Sequence, residues 1–260
     1  MEFILSRAEF FALAAMTRAD EIIGLSAADL VPASPAARQA LYTQGEARLQ
    51  QRDLLRTNAT GEAVLEENLL RMLRVVTTPD SALVVVKTTP GIGAQLFLFY
   101  GREGQYVEQT LPDDNTHRLA EVGPASDVRE RLGAIFPVPQ TGAGSSGFQA
   151  DTQAIVAAYN LVRSGDPDQA RIAIGVNGNA DERAHWLDAI AKLTFSGTIA
   201  FIQVIESETN EARELAVFAS PSSAWLSWNM GDGNASVGQI DERTFAQVVD
   251  AALRAVANSA

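Results

Sequence analysis

Gly142-Ala143-Gly144-Ser145-Ser146-Gly147 spells G-x-G-x-x-G, the glycine pattern that cradles the pyrophosphate of a dinucleotide. That chemistry needs a strand before the glycines and a helix directly after them, so that helix N–H groups meet the phosphates. Here Pro137-Val138-Pro139 precede the pattern, and proline cannot sit in a central strand. The run is rich in glycine, serine and proline and has no period, so it reads as a linker. No nucleotide cofactor is expected from it.

The second candidate centres on His185. Glu182 lies three residues before it and Asp188 three after, so one helical face could present all three to a metal. A carboxylate-bridged site wants a second such set, and the sequence offers none. The other histidine, His117, falls in an expected strand. The chain has no cysteine, which removes thiolate nucleophiles, disulfides and Cys-ligated metals. Nucleophile elbows, P-loops and zinc helix motifs are likewise missing. We expect no catalytic residue, no metal and no cofactor.

The third candidate is aromatic. Trp225 and Trp228 share a strand at a three-residue offset and point to opposite faces. Tyr106 stands where Trp225 stands if the two halves of the chain are aligned by their strand order, so the two residues mark one face in both copies. Either a helix covers that face, or it meets a partner, since Trp and Tyr dominate interface hot spots. Trp225 and Tyr106 are the candidate partner-binding residues, ringed by the polar loops Thr88 to Gly93 and Glu206 to Glu211.

Composition narrows the partners. The net charge is -12, which repels phosphate backbones and argues against nucleic acid. The short segment Ala36 to Gly61 could imitate a winged helix, but it carries no basic cluster. No apolar run approaches the length of a membrane span, and Met1 to Arg7 lacks a cationic signal region, so a cytoplasmic protein without membrane contact is expected.

The elements that must position these residues come twice. Residues 62–136 and 180–256 each run amphipathic helix, apolar strand, hairpin, strand, tight turn, aromatic strand, closing strand and helix. A period near 120 residues is too long for a solenoid and implies two copies of one small unit about a pseudo-two-fold axis. The expected fold is α+β: two related subdomains, each an antiparallel β-meander flanked by helices. Residues 1–136 form the first, 137–149 the linker and 150–260 the second. Before the first copy come a strand Glu2 to Ser6, a helix Ala8 to Ile23 with Phe11, Ala15, Ile22 and Ile23 on one side, a connector and a helix Ala36 to Gln44 capped by Gly45. Leu49 to Arg56 is an extended arm or a third short helix. A helix from Ala150 to Arg163 comes after the linker.

With the duplication in view, the chain resembles the EspG family of cytoplasmic chaperones of type VII secretion. The resemblance rests on Phe3 to Ile23, Tyr42-Thr43-Gln44-Gly45, Leu83-Val84-Val85-Val86, the hairpin Leu96 to Val107, and Ser236-Val237-Gly238-Gln239-Ile240 with its following helix. It implies a quasi-two-fold α+β fold that binds the helical tip of a secreted PE–PPE pair. The leading functional expectation is therefore a non-catalytic protein-binding module that shields an apolar tip of a helical secretion substrate. Two others stay open: a small-ligand binder or enzyme with its site between the repeats, and a regulatory protein acting through the N-terminal helices.

Overall fold

Among the described residues, ten antiparallel strands make one continuous sheet, whose order is the same read from either edge inward. The computed structural model describes residues 1–19, 21–25, 32–140, 147–175, 179–205, 208–229 and 233–257. The first half gives β1 (Glu2–Ser6), α1 (Arg7–Met16), α2 (Pro35–Gln51), β2 (Leu55–Thr57), β3 (Ala63–Leu65), α3 (Glu67–Thr77), β4 (Ser81–Thr89), β5 (Gly93–Arg102), β6 (Gln105–Asp113), β7 (Thr116–Gly123) and α4 (Ala125–Ile135). The second gives β8 (Gly147–Asp151), α5 (Thr152–Arg163), α6 (Pro167–Ala173), α7 (Ala180–Ala191), β9 (Phe195–Ile205), β10 (Glu208–Ala219), β11 (Ala224–Asn229), β12 (Asn234–Ile240) and α8 (Glu242–Ala257). The sheet runs β1-β7-β6-β5-β4-β9-β10-β11-β12-β8, and β2 with β3 forms a separate hairpin. The halves join where β4 pairs β9, with Val85 opposite Ile199.

Helix starts reflect local chemistry. Ser6 and Glu9 form a capping box at α1, and Asp151, Asp166 and Asn179 cap α5, α6 and α7 through their side chains. Strand alternation then sorts the core into layers. Leu83, Val85, Phe99, Ile199, Phe201, Leu215 and Val217 point to one face, beneath α4 and α8. On the opposite face, Leu98, Tyr100 and Val107 pack with α1 and α3 in the first half. Phe218, Trp225 and Val237 pack with α5 and α7 in the second.

Several expectations change. The stretch expected to finish the linker and begin a helix, residues 147–151, is a strand. β8 pairs with β12, and Phe148 and Ala150 turn inward while Gly147, Gln149 and Asp151 face out. Five residues with a single large apolar side chain, Phe148, carry too little pattern to show this, and pairing to a distant strand decides it. Gly45 does not end a helix. α2 runs through it, and a Cβ there would overlap the Ala8 carbonyl, so its role is close approach of α2 to α1. α1 stops at Met16, and its buried residues include Phe10, Ala12, Leu13 and Ala14, not the side marked by Phe11 and Ala15. Val64 belongs to β3, not to the helix of the first repeat. Residues 141–146, which hold most of the glycine pattern, lie outside the described residues, and its last glycine, Gly147, opens a strand and not a helix.

Candidate functional site

The two faces of the sheet are covered unequally at its centre. Beneath α4 and α8, Leu83, Val85, Ile199 and Phe201 are fully buried. On the opposite face, Val84, Val86, Thr198, Ala200 and Ala216 are only half-buried.

A cleft of about 340 Å³ opens at this place. Its floor is Val86 and Thr88 of β4, Ser196 to Thr198 of β9, and Ala216 and Phe218 of β10. Its wall is α5, anchored by Asp151 Oδ1, which accepts from Gln153 N at 2.8 Å and Ala154 N at 3.1 Å. The helix presents Ile155, Val156 and Tyr159 to the cleft. Val156 is 48% exposed, a large apolar side chain left open to water. The Tyr159 ring lies 5.6 Å from that of Phe218, and its hydroxyl is 3.1 Å from Ser196 Oγ. Glu214 is the one charged residue among the described residues of the lining. This is a binding surface: apolar at the bottom, with hydroxyls at fixed points and no histidine or lysine among its described lining.

The aromatic candidates do not sit here. Trp225 is 2% exposed and Tyr106 is 4% exposed, so neither projects into solvent as a partner anchor. They do not share a face either. Tyr106 lies under α4 with its hydroxyl 3.4 Å from Ser81 Oγ, while Trp225 packs on the α5–α7 side. The ladders explain the error. Val85 pairs Phe97 and Ile199 pairs Leu215, and Tyr100 pairs Val107 where Phe218 pairs Trp225. The counterpart of Trp225 is thus Val107. A slip of one residue exchanges the faces of a strand. Trp225 and Trp228 do point to opposite faces. The polar loop from Glu206 lies partly outside the described residues.

His117 is buried in β7. It stacks on Phe10 at 4.2 Å between centroids, and Nδ1 is 2.8 Å from Gln109 Nε2. Gln109 Oε1 lies 3.2 Å from the Tyr100 hydroxyl, whose single proton goes to the Ile23 carbonyl at 2.8 Å. Burial pushes the Tyr100 phenol far above its ordinary value, which keeps it a neutral donor. His185 lies on α7 and lines a polar hollow with Asp188, Lys192 and the Ser220 to Ser223 turn. Among the described residues no three His, Asp or Glu side chains converge as metal ligands, and no helix is long and apolar enough to cross a membrane.

In the sequence Tyr159 falls at helical spacing with Ile155, Ala158 and Val162, while no motif there singles out Val156, Ala216 or Phe218. One signal was present: Val156 lies off the stripe of Ile155, Ala158 and Val162 that α5 buries, an apolar residue outside the expected face.

No protein-family profile matches this chain, and no curated protein sequence does. In structure it is similar to the Mycobacterium tuberculosis type VII secretion system chaperone EspG5, solved in complex with a PE25–PPE41 dimer. The TM-score is 0.70 at 12% sequence identity, over 98% of this chain and 97% of that one. The chain therefore has an EspG-like α+β fold, shared at a level of sequence identity where only the architecture carries over.

Proposed function

We propose that this protein is a non-catalytic chaperone that binds the apolar tip of a helical secretion substrate in the cleft beside α5. The observation that carries the reading is the cleft itself: a stretch of the central sheet where apolar residues stay half-open, in a fold otherwise layered on both sides. Exposed apolar surface rimmed by polar groups is the anatomy of a partner site. Support comes also from EspG5, which was solved with a PE25–PPE41 dimer bound. A cleft with hydroxyls and one carboxylate, but no histidine or lysine among its described lining, suits capture better than turnover. The cytoplasm is the compartment this role implies.

The test is capture from the native host by the tagged protein, read by mass spectrometry, with Val156→Asp as the comparison. Val156 is half exposed, so the variant should melt within a few degrees of wild type while losing its helical partner. Equal recovery of the same partner by both proteins would place the site elsewhere.

A second reading has its own observation. Val86 and Thr88 come from the first half and the rest of the lining from the second, so the cleft straddles the repeats. Its volume also suits a small apolar ligand. A thermal-shift screen with fatty acids and aromatic amines separates the two: saturable stabilisation, lost in Val156→Asp with no protein captured, favours the ligand.

A further inference from the structure

The two edges of the ten-stranded sheet differ. At the β1 edge, Arg52 donates to the outward Ile4 carbonyl and Glu9 accepts from the outward Ser6 N, which closes that row to a further strand. The β8 edge carries no such seal. Thr152 N donates to the Gly233 carbonyl at 2.9 Å, which fixes the alternation along β8: Phe148 and Ala150 turn their backbone groups to β12. Across each planar trans peptide the N–H and C=O point opposite ways. Four groups therefore face out: the Gly147 carbonyl, the Gln149 N–H, the Gln149 carbonyl and the Asp151 N–H. Among the described residues none of the four has a partner. The side chains do not guard them either. β8 carries no lysine, arginine or proline, and its one charge is turned to α5, where Asp151 Oδ1 accepts from Gln153 N and Ala154 N.

We infer that β8 pairs antiparallel with β8 of a second copy of this chain, about a two-fold axis through Gln149. From Gly147 to Asp151 the open row reads acceptor, donor, acceptor, donor. An antiparallel copy supplies the complement at each place: Gly147 faces Asp151 of the second copy, Gln149 faces Gln149, and all four groups on each strand are used. No carboxylates oppose each other, because each Asp151 meets a glycine. The exposed Gln149 amides lie side by side on one face, where each can donate and accept. An axis through Phe148 would leave the Asp151 N–H unpaired, and one through Ala150 would leave the Gly147 carbonyl unpaired. A second copy is the occupant this row fits, since it brings a strand of the same length that is likewise unsealed, whereas every other strand of the sheet is paired on both sides or, at β1, closed. Such an isologous contact ends at the dimer. Five residues limit the seam to a weak, reversible association. None of the described cleft lining comes from β8, so the inference stands apart from the proposed binding role.

The experiment uses the full-length protein and sedimentation velocity. A contact of this size calls for concentrations from about 10 μM to about 1 mM. Wild type should pass reversibly from monomer to dimer across that range. Added NaCl should raise the dimer fraction, because two copies of net charge -12 repel and salt screens the repulsion. Gln149→Pro should stay monomeric while keeping the β8–β12 ladder, since the N–H it deletes points outward and proline is tolerated there on an edge strand. If that variant does not fold, Gln149→Cys carries the test. The chain has no cysteine of its own, so the new thiol is the only one. Hydrogen-bonded antiparallel partners stand about 5.5 Å apart at Cα, within the span of a disulfide. Mild oxidation should link Gln149→Cys into a covalent dimer much faster than Val64→Cys, an exposed site on β3. A monomer at the top of the range leaves the edge to a strand of another protein and overturns the inference. Equal association by a folded Gln149→Pro, or crosslinking no faster than Val64→Cys, overturns it as well.

Discussion

Arg52 Nη1 lies 2.8 Å from Glu9 Oε1, and together the two residues close the outer edge of β1. The Met1 carbonyl accepts from Glu121 N, and Arg7 N donates to the Asn115 carbonyl, both beside β7. The odd residues of β1 therefore turn their backbone groups inward and the even ones turn theirs out. The same Arg52 nitrogen donates to the outward Ile4 carbonyl at 2.9 Å, and Glu9 Oε2 accepts from the outward Ser6 N at 2.7 Å. An ion pair thus occupies the groups through which another strand would add.

The pair makes stability depend on pH. Burial of Glu9 pushes its pKa up, but hydrogen bonds from Ser6 and Arg52 outweigh that and hold it below the ordinary 4.5. A carboxyl lowered on folding stabilises the fold above its unfolded pKa, and that stability is lost as pH falls through the folded value. Wild type should lose melting temperature steeply in this acid range. Glu9→Gln should start lower at neutral pH and show a shallower decline. Parallel melting curves for the two proteins from about pH 7 to about pH 3 would disprove the linkage.

Gly45→Ala tests the crossing of α1 and α2. Helix propensity alone favours alanine by about 1 kcal/mol. The obstacle is the Ala8 backbone, which cannot rotate aside, so overpacking of about 1–3 kcal/mol should win. The expected outcome is a lower melting temperature. A rise would mean that the helices separate without cost.

Trp225→Ala should unfold the second half's core. Trp225 packs in the cluster that holds Phe148, Trp186 and Phe218, and truncating such a side chain costs about 3–5 kcal/mol. Denaturant melts measure it. A variant with wild-type stability would contradict the buried placement and restore the surface-anchor reading.

Arg131 grips Glu108 with Nε and Nη2 at 2.9–3.1 Å, tying α4 to β6 over the side chain of a residue 3% exposed. Arg131→Lys keeps the charge but loses the fork, and should cost about 1–2 kcal/mol. Arg131→Met strands the buried carboxylate and should cost more, while adding Glu108→Gln should recover part of the loss. A double variant no better than Arg131→Met would show that the carboxylate is not the source of the cost.

Local pattern was enough to read the placement of β4, β5, β9 and β10 and the α+β class. Alternation and helical spacing are properties of neighbouring residues, so one sequence displays them. The opposed faces of Trp225 and Trp228 were legible for the same reason.

What only the tertiary structure decided depends on partners far along the chain. Gly45 looks like a helix stop until Ala8 is seen against it, and residues 147–151 look like linker until β12 pairs with them. Tyr106 and Trp225 look equivalent because strand order aligns them, yet the ladders offset them by one residue and send them to opposite faces. The cleft is the furthest from local information. It exists because Ile22 to Leu25 cover the sheet in one half and no described segment does so in the other. A single sequence records the apolar residues on both surfaces alike, and only packing determines which of them remain uncovered.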